Sequence, residues 1–159
     1  MTKHIPLTQG KFALVDDRDY EELSKHKWYY EHGYARRDYQ IAGKRHRVYM
    51  HKLIAGTPDG MHTDHINGDK LDNRAENLRV CSASENQMNS EKNKNSSSKY
   101  KGVSFYKRDE KWQAGIMLNR KDIYLGRFTS EIEAAKAYNE AAINYFGEFA
   151  KLNILKEVA

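Results

Sequence analysis

The sequence holds a single cysteine in 159 residues, Cys81, and no apolar run that approaches the roughly 20 residues of a membrane span. The lone thiol excludes an internal disulfide and a cysteine-rich structural zinc site, so any metal has to be held by His, Asp and Asn. The missing apolar run excludes a spanning helix. The opening residues, MTKHIPLTQG, lack the apolar centre of a signal peptide, and a cytoplasmic protein is expected.

What is present suits a folded chain. Hydrophobic residues make up 39% and charged residues 31%, and eleven tyrosines with two tryptophans argue against disorder throughout. The length suits one medium domain or two small modules. The net charge of +5 is unevenly placed: residues 1–86 carry 14 basic and 13 acidic side chains, residues 87–127 carry 10 and 4, and residues 128–159 carry 3 and 5. The excess therefore lies between EKNKNSSSKYK and Arg127, where it forms a candidate phosphate-contacting face.

The fold class expected is α+β. Short strands are predicted at KFALVDD, KWYYE, YARRDYQ and RHRVYM, with a small helix over DRDYEELSKH opened by Asp16 or Asp17, and a hairpin turn at residues 42–44. HKLIAG reads as a short helix closed by Gly56. Residues 87–99 contain almost nothing apolar and read as a flexible or extended linker. Three strands follow, YKGVSFYK, KWQAGIMLN and DIYLGRF, and in the middle one Trp112, Ala114, Ile116 and Leu118 share a face opposite Gln113, Gly115 and Met117. A helix opened by a Ser130/Glu133 capping box carries the stripe Ala134, Ala135, Tyr138, Ala141, Ala142, Tyr145 and Phe146 up to Gly147. The second module is thus a three-stranded antiparallel sheet with one helix on its apolar face and the other face open. The division expected is a β-rich segment at 1–47, a core at 48–88, a linker at 89–98 and the sheet-helix module at 99–153.

The chemistry concentrates in TDHINGDKLDNRAENLRVCSASEN, residues 63–86. Two short strands and a helix bearing Asn86 would fold this stretch back on itself. Asp64 and Asn86 then offer two oxygen ligands to one divalent cation, which suits Mg2+ or Mn2+ rather than zinc. His65 is left as a general base, and Asn77 is expected to fix its ring by a hydrogen bond. With Asp64 and His65 at the bent end of a strand, strict alternation fails and both can serve one phosphodiester. Asn73 reads as a turn residue and His51, in MHKLI, as a packed one. Arg36, Arg37, Lys44, Arg45 and Arg47 make a second basic cluster on a predicted hairpin, either solvated or extending a DNA track.

MHKLIAG, TDHINGDKLDNRAENLRV and SASEN resemble the HNH endonucleases, in particular the phage group that includes homing endonucleases. YKGVSFYKRDEKWQAGI and YLGRFTSEIEAAKAYNEAAINYFGEFAKLN resemble the plant APETALA or ethylene-response-factor type of DNA-binding domain. Together the two cover about residues 48–153. The first resemblance implies a ββα-metal nuclease core with His65 as base, Asp64 and Asn86 as metal ligands and Asn77 as the middle Asn; Asn86 stands where many members have a second histidine. It also implies a phage-infected or bacterial cell as the setting. The second implies a sheet in the major groove of double-stranded DNA, with Lys101, Ser104, Tyr106, Arg108, Lys111, Gln113, Met117, Arg120, Lys121 and Tyr124 facing it. Ser104, Gly115 and Met117 stand where that family tends to place charge, so fewer bidentate guanine contacts are expected.

A strand-nicking, metal-dependent DNA endonuclease acting as a monomer is expected, with a dimer or sequential nicks required to cut both strands. Two rivals share many of its features: a DNA-binding regulator with an inert HNH core, and an RNA-binding or RNA-processing protein whose aromatic sheet stacks bases.

Overall fold

The structure is a computed structural model that describes residues 1–92 and 96–155, and it divides the chain into two units, Met1–Asn86 and Gln87–Ala159. It is mixed α and β, with four small antiparallel sheets among the described residues. Among the described residues no helix is long and apolar enough to cross a membrane.

In the first unit β1 (Thr2–Pro6) pairs with β2 (Phe12–Asp16), Thr2 opposite Asp16. The strand β1 was not among the predicted elements. Ala13 and Val15 alternate inward along β2 and meet Ile5, Leu23 and Trp28 in one core. α1 (Asp17–Ser24) follows, but Asp16 makes no side-chain cap there; its Oδ2 accepts from the distant Ala75 N–H at 2.8 Å. The helix start is thus spent on tying down a loop 59 residues away.

β3 (Tyr29–Glu31), β4 (Tyr34–Ile41) and β5 (Lys44–Tyr49) form a second sheet in that order, and α2 (Met50–Ile54) leaves directly from β5. Met50 of α2 is fully buried with Ala35, Trp28 and Ile5, so the segments expected as 1–47 and 48–88 share one core. The basic hairpin is partly neutralised from within: Asp38 takes Arg36, Arg45 and Arg47, and Glu31 takes Arg36 and Arg47.

β6 (His62–His65) pairs antiparallel with β7 (Leu78–Cys81), setting Asp64 opposite Arg79 and His65 opposite Leu78. α3 (Ala83–Met88) starts one residue later, with Ser82 Oγ accepting from Glu85 N–H and the Glu85 carboxylate accepting from Ser82 N–H, as a reciprocal cap.

In the second unit β8 (Val103–Tyr106), β9 (Lys111–Leu118) and β10 (Lys121–Phe128) form an antiparallel sheet with β9 central, and α4 (Glu131–Phe146) lies against it. Ala134, Ala135, Tyr138, Ala141, Ala142 and Phe146 face Ala114 and Ile116. The small side chains bring the helix close to the sheet. Tyr145, expected in that stripe, is instead 46% exposed. It precedes Phe146 by one residue, a step of about 100° around the helix that carries it off the buried arc. Ser130 caps the helix by accepting from Ile132 N–H.

Of the expected linker 89–98, residues 93–95 lie outside the described residues. Ser96 to Ser98 belong to the sheet-helix unit and are bonded into it: Ser98 is buried, donating to Glu131 and accepting from Tyr100 N–H, while Ser96 donates to the Val103 carbonyl. Serines that look like spacer in composition here satisfy backbone and carboxylate groups.

Candidate active site

The stretch between β6 and β7 is built from short polar side chains bonding their own backbone. Asn67 Oδ1 accepts from Asp69 N–H at 2.8 Å, and Asp69 Oδ1 accepts from Leu71 N–H at 3.0 Å, two successive Asx turns. Asp72 receives Arg74 through both carboxylate oxygens and Asn67 Nδ2 as well. Those bonds hold its carboxyl below the usual carboxylate range, the Arg74 hydrogen bond foremost. The far side of the loop is zipped to β2: Leu14 N–H donates to Leu71 O and Asn73 N–H donates to Leu14 O, each at 2.8 Å.

This framework sets Asn73 under His65. Asn73 is completely buried, its Nδ2 donates to Leu71 O at 3.1 Å, and its Oδ1 therefore faces His65 Nε2 at 3.4 Å. An acceptor at Nε2 assigns the proton to that nitrogen and the lone pair to Nδ1. His65 is the last residue of β6 and 5% exposed, and burial pushes its pKa down, against the opposing pull of Asn73 and Asp64. A neutral ring with a defined basic nitrogen is what a general base requires.

Asn77, expected on the imidazole, serves the loop instead. Its Oδ1 accepts from Asn67 N–H at 3.0 Å and its Nδ2 donates to Asp72 O at 2.8 Å. The position beside His65 is filled by Asn73, which the sequence reading took for a turn residue. A short side chain bonding locally and one bonding a functional ring look alike in sequence; only the zipped loop separates them.

Asp64, also buried, receives Arg79 Nε and Nη2 on its Oδ2 at 2.8 and 2.7 Å. Arg79 was not among the predicted site residues, although NLRV marked its strand. Asn86 lies half-buried on α3, its N–H donating to Ser82 O. Among the described residues no hydrogen bond joins it to Asp64 or His65. Nor does any group of three or more His, Cys, Asp and Glu side chains gather there as a metal centre.

A wall from the N-terminal sheet completes the surroundings. The His51 ring stands edge-on to His65 at 5.0 Å, and Tyr34 lies 6.1 Å from His65 and 5.1 Å from His51. Tyr49 adds a further face against His51. His51 is as buried as His65, its Nδ1 lacks a hydrogen-bond partner, and burial brings its pKa down to about 3. It is packed, as expected, yet it packs on the candidate base.

In the second unit the cross-strand rows Tyr106–Lys111, Ser104–Gln113–Arg127 and Gly115–Tyr124 lie on the open face. Tyr124 is 60% exposed and Met117 54%. Ser104, Arg108, Lys111, Arg120 and Lys121 are exposed as well, with Arg120 in the β9–β10 turn. Arg127, absent from the expected set, stacks its guanidinium 3.8 Å over the Tyr106 ring and bonds Gln113. Lys101 differs: its Nζ donates to the carbonyls of Met88 and Ser90 at 2.7 and 2.6 Å, and burial lowers its pKa to about 8. It ties the strand of chain entering the unit rather than presenting a cation outward.

The family model described as HNH endonuclease matches residues 45–88. An uncharacterized HNH endonuclease of Acanthamoeba polyphaga mimivirus is 31% identical over 151 residues, covering 91% of this chain and 76% of the viral protein. The chain belongs to the HNH endonuclease family. This HNH endonuclease also resembles plant proteins locally. It is 44% identical over 57 residues to APETALA2-like protein 2 of Oryza sativa subsp. indica, and 41% identical over 59 residues to an AP2-like ethylene-responsive transcription factor of Arabidopsis thaliana. Those matches cover 36% and 37% of the endonuclease but only 13% and 12% of the plant proteins. No solved structure matches.

Proposed function

We propose that this HNH endonuclease is a metal-dependent DNA nickase of homing type, as in the phage group, with residues 48–88 as a ββα-metal core, 89–98 as a connection and 99–153 as an APETALA-type module that grips double-stranded DNA. The observation that carries the reading is His65: buried, neutral, and held by Asn73 with Nδ1 as its basic nitrogen, in a chain of this family.

His65 Nδ1 takes a proton from the water that attacks phosphorus, a step that contributes roughly 10² to 10⁴ in rate. Asn73 keeps the ring in the required tautomer, while Asn77 braces the loop that carries Asn73. Asp64 and Asn86 are the oxygen donors for Mg2+ or Mn2+. Their hard oxygen donors are of the kind that would hold such an ion. When bound, the ion supplies charge for the phosphoryl oxygens and the departing 3′ oxygen. Arg79 orients Asp64 by holding Oδ2. One base per chain means one strand cut per encounter, and the reading is of a monomer.

The second unit supports DNA as the substrate through its open face of Ser104, Tyr106, Lys111, Gln113, Met117 and Tyr124, joined by Arg127, with Arg108, Arg120 and Lys121 at the strand ends as phosphate contacts. One observation favours a second reading, a DNA-binding regulator with an inert core: a guanidinium already occupies Asp64.

Supercoiled plasmid incubated with Mg2+ or Mn2+, beside a chelator control and His65→Ala, separates the two. Open-circle product that requires both metal and His65 is expected. Plasmid left equally intact by wild type and His65→Ala, with duplex binding retained by both, favours the regulator.

A further inference from the structure

Lys70 is an odd lysine. Its stem crosses the β3–β4 turn at Gly33, where a Cβ would stand 3.0 Å from its Cδ, and its ammonium lies 4.4 Å from the centre of the Tyr34 ring. Gly33 has φ +91°, so the turn needs glycine for its backbone as well as for the space the lysine uses. Lys70 is exposed and forms no salt bridge with any described residue. The two carboxylates nearest in sequence are engaged elsewhere: Asp69 Oδ1 accepts from Leu71 N–H, and Asp72 is taken by Arg74 and Asn67.

The ring that holds this cation is the same Tyr34 that packs against His51 and His65. A positive charge held on the aromatic face that also packs against the candidate base, with no salt bridge among the described residues, is suited to an anion that arrives with the substrate.

We propose that Lys70, braced by Tyr34, binds a phosphate of the substrate backbone at the His65 site. Lys70 is then a catalytic residue and Tyr34 a positioning residue, which gives the N-terminal sheet a direct part in the reaction. The ammonium steadies charge on a non-bridging phosphate oxygen as the water attacks, a role that a metal at Asp64 and Asn86 complements rather than replaces. The bland alternative is a lysine whose stem merely covers the tyrosine while its head stays in water.

The proposal rests on the nuclease reading for its rate effect but not for its binding effect, and the test uses both. Binding of the full chain to a fluorescent duplex is measured without metal over a series of salt concentrations. Plasmid cleavage is measured with Mg2+. Lys70→Met is expected to reduce the slope of log K against log salt by about 0.9, the share of one phosphate contact. Cleavage should fall roughly 10²-fold. Lys70→Arg should restore the slope. Tyr34→Leu should slow cleavage in the wild-type background and have little further effect beside Lys70→Met, because its effect runs through the ammonium. An unchanged slope in Lys70→Met overturns the proposal whatever the rate does. If wild type does not cut but the slope still falls, the nuclease reading fails and the phosphate contact stands.

Discussion

The two units solve the problem of a small core in opposite ways. The first packs large side chains, Trp28, Met50, Ile5 and Leu23, and then buries polar groups beside them: His51, Thr63, Asp64, His65, Asp72, Asn73 and Asn77. The second is lined with alanines and two tyrosines, Tyr100 and Tyr138, and buries few other polar side chains, Asn89 and Ser98 among the described residues. A buried polar group without a partner costs more than its bond contributes when made, so a unit that buries seven must bond most of them: His65 meets Asn73, Asp64 takes Arg79, and Asp72 and Asn77 share Asn67, while His51 Nδ1 stays without a hydrogen bond. Those bonds around His65 build the candidate site. The sheet-helix unit keeps its polar chemistry on the surface and needs only closeness inside. The first unit should therefore be sensitive to lost hydrogen bonds and to pH, and the second to added volume.

The sharpest break of the comparison is Gly102→Ala. Gly102 has φ +73°, and a Cβ there would lie 2.0 Å from Tyr138 Cδ2 and 2.7 Å from the Gly115 carbonyl oxygen. Tyr138 is buried and the carbonyl is backbone, so neither yields easily. Overpacking together with the left-handed backbone should cost about 3 kcal/mol or more. For a unit of this size that lowers the melting midpoint by roughly 12–24 °C. Calorimetry of the full chain reads it, and a midpoint within a few degrees of wild type would mean the helix does not press on the sheet as described.

In the first unit the matching break removes atoms. Asn73→Ala removes the acceptor that faces His65 Nε2 and one of the two donors to the Leu71 carbonyl, which keeps Leu14 N–H. A loss of about 1–3 kcal/mol is expected in urea unfolding. Cleavage should fall roughly 10- to 100-fold, the usual effect of losing a group that orients a functional histidine. Asn77→Ala should act more on stability than on rate, because its bonds go to Asn67 and Asp72. Equal effects of the two substitutions on rate would remove the distinction drawn between them.

Much of this was legible before the structure, for reasons that differ by region. Alternation along β9 and the alanine spacing of α4 are local signals, and burial follows them at Ala114, Ile116, Ala134 and Ala142. The position of His65 at a strand end was likewise local. What stayed hidden depends on long-range pairing. Asp16 looked like a helix cap because its partner Ala75 is far along the chain, and Tyr34 had no visible role because His65 lies 31 residues on. Asn73 and Asn77 exchanged expected roles because two Asx turns and the zipper to β2 decide which amide reaches the ring. Ser98 shows the same limit in the second unit, where composition suggested a spacer and Glu131 made it a buried partner.

The smallest effect at neutral pH, and the most specific to the first unit, concerns His51. Its pKa falls from 6.5 in the open chain to about 3 in the folded one, chiefly through burial and then through the nearby His65. The unfolded chain thus binds the proton more readily, so the stabilising contribution is complete above about pH 6.5 and is lost as the pH falls from there toward 3. The slope is about 1.4 kcal/mol per pH unit, and between pH 6.5 and 5 it amounts to roughly 2 kcal/mol. His51→Phe keeps an aromatic ring against Tyr34 and His65 but has no nitrogen to protonate. It should match wild type near pH 7, where the orphaned Nδ1 is neutral, and pull ahead by about that amount at pH 5 in urea unfolding. Carboxylates and His65 titrate in both proteins, so the difference between the two curves reads His51 alone. Parallel curves would mean that the folded chain accepts a proton at His51 without penalty, and the wall beside His65 would then be wetter than its burial implies.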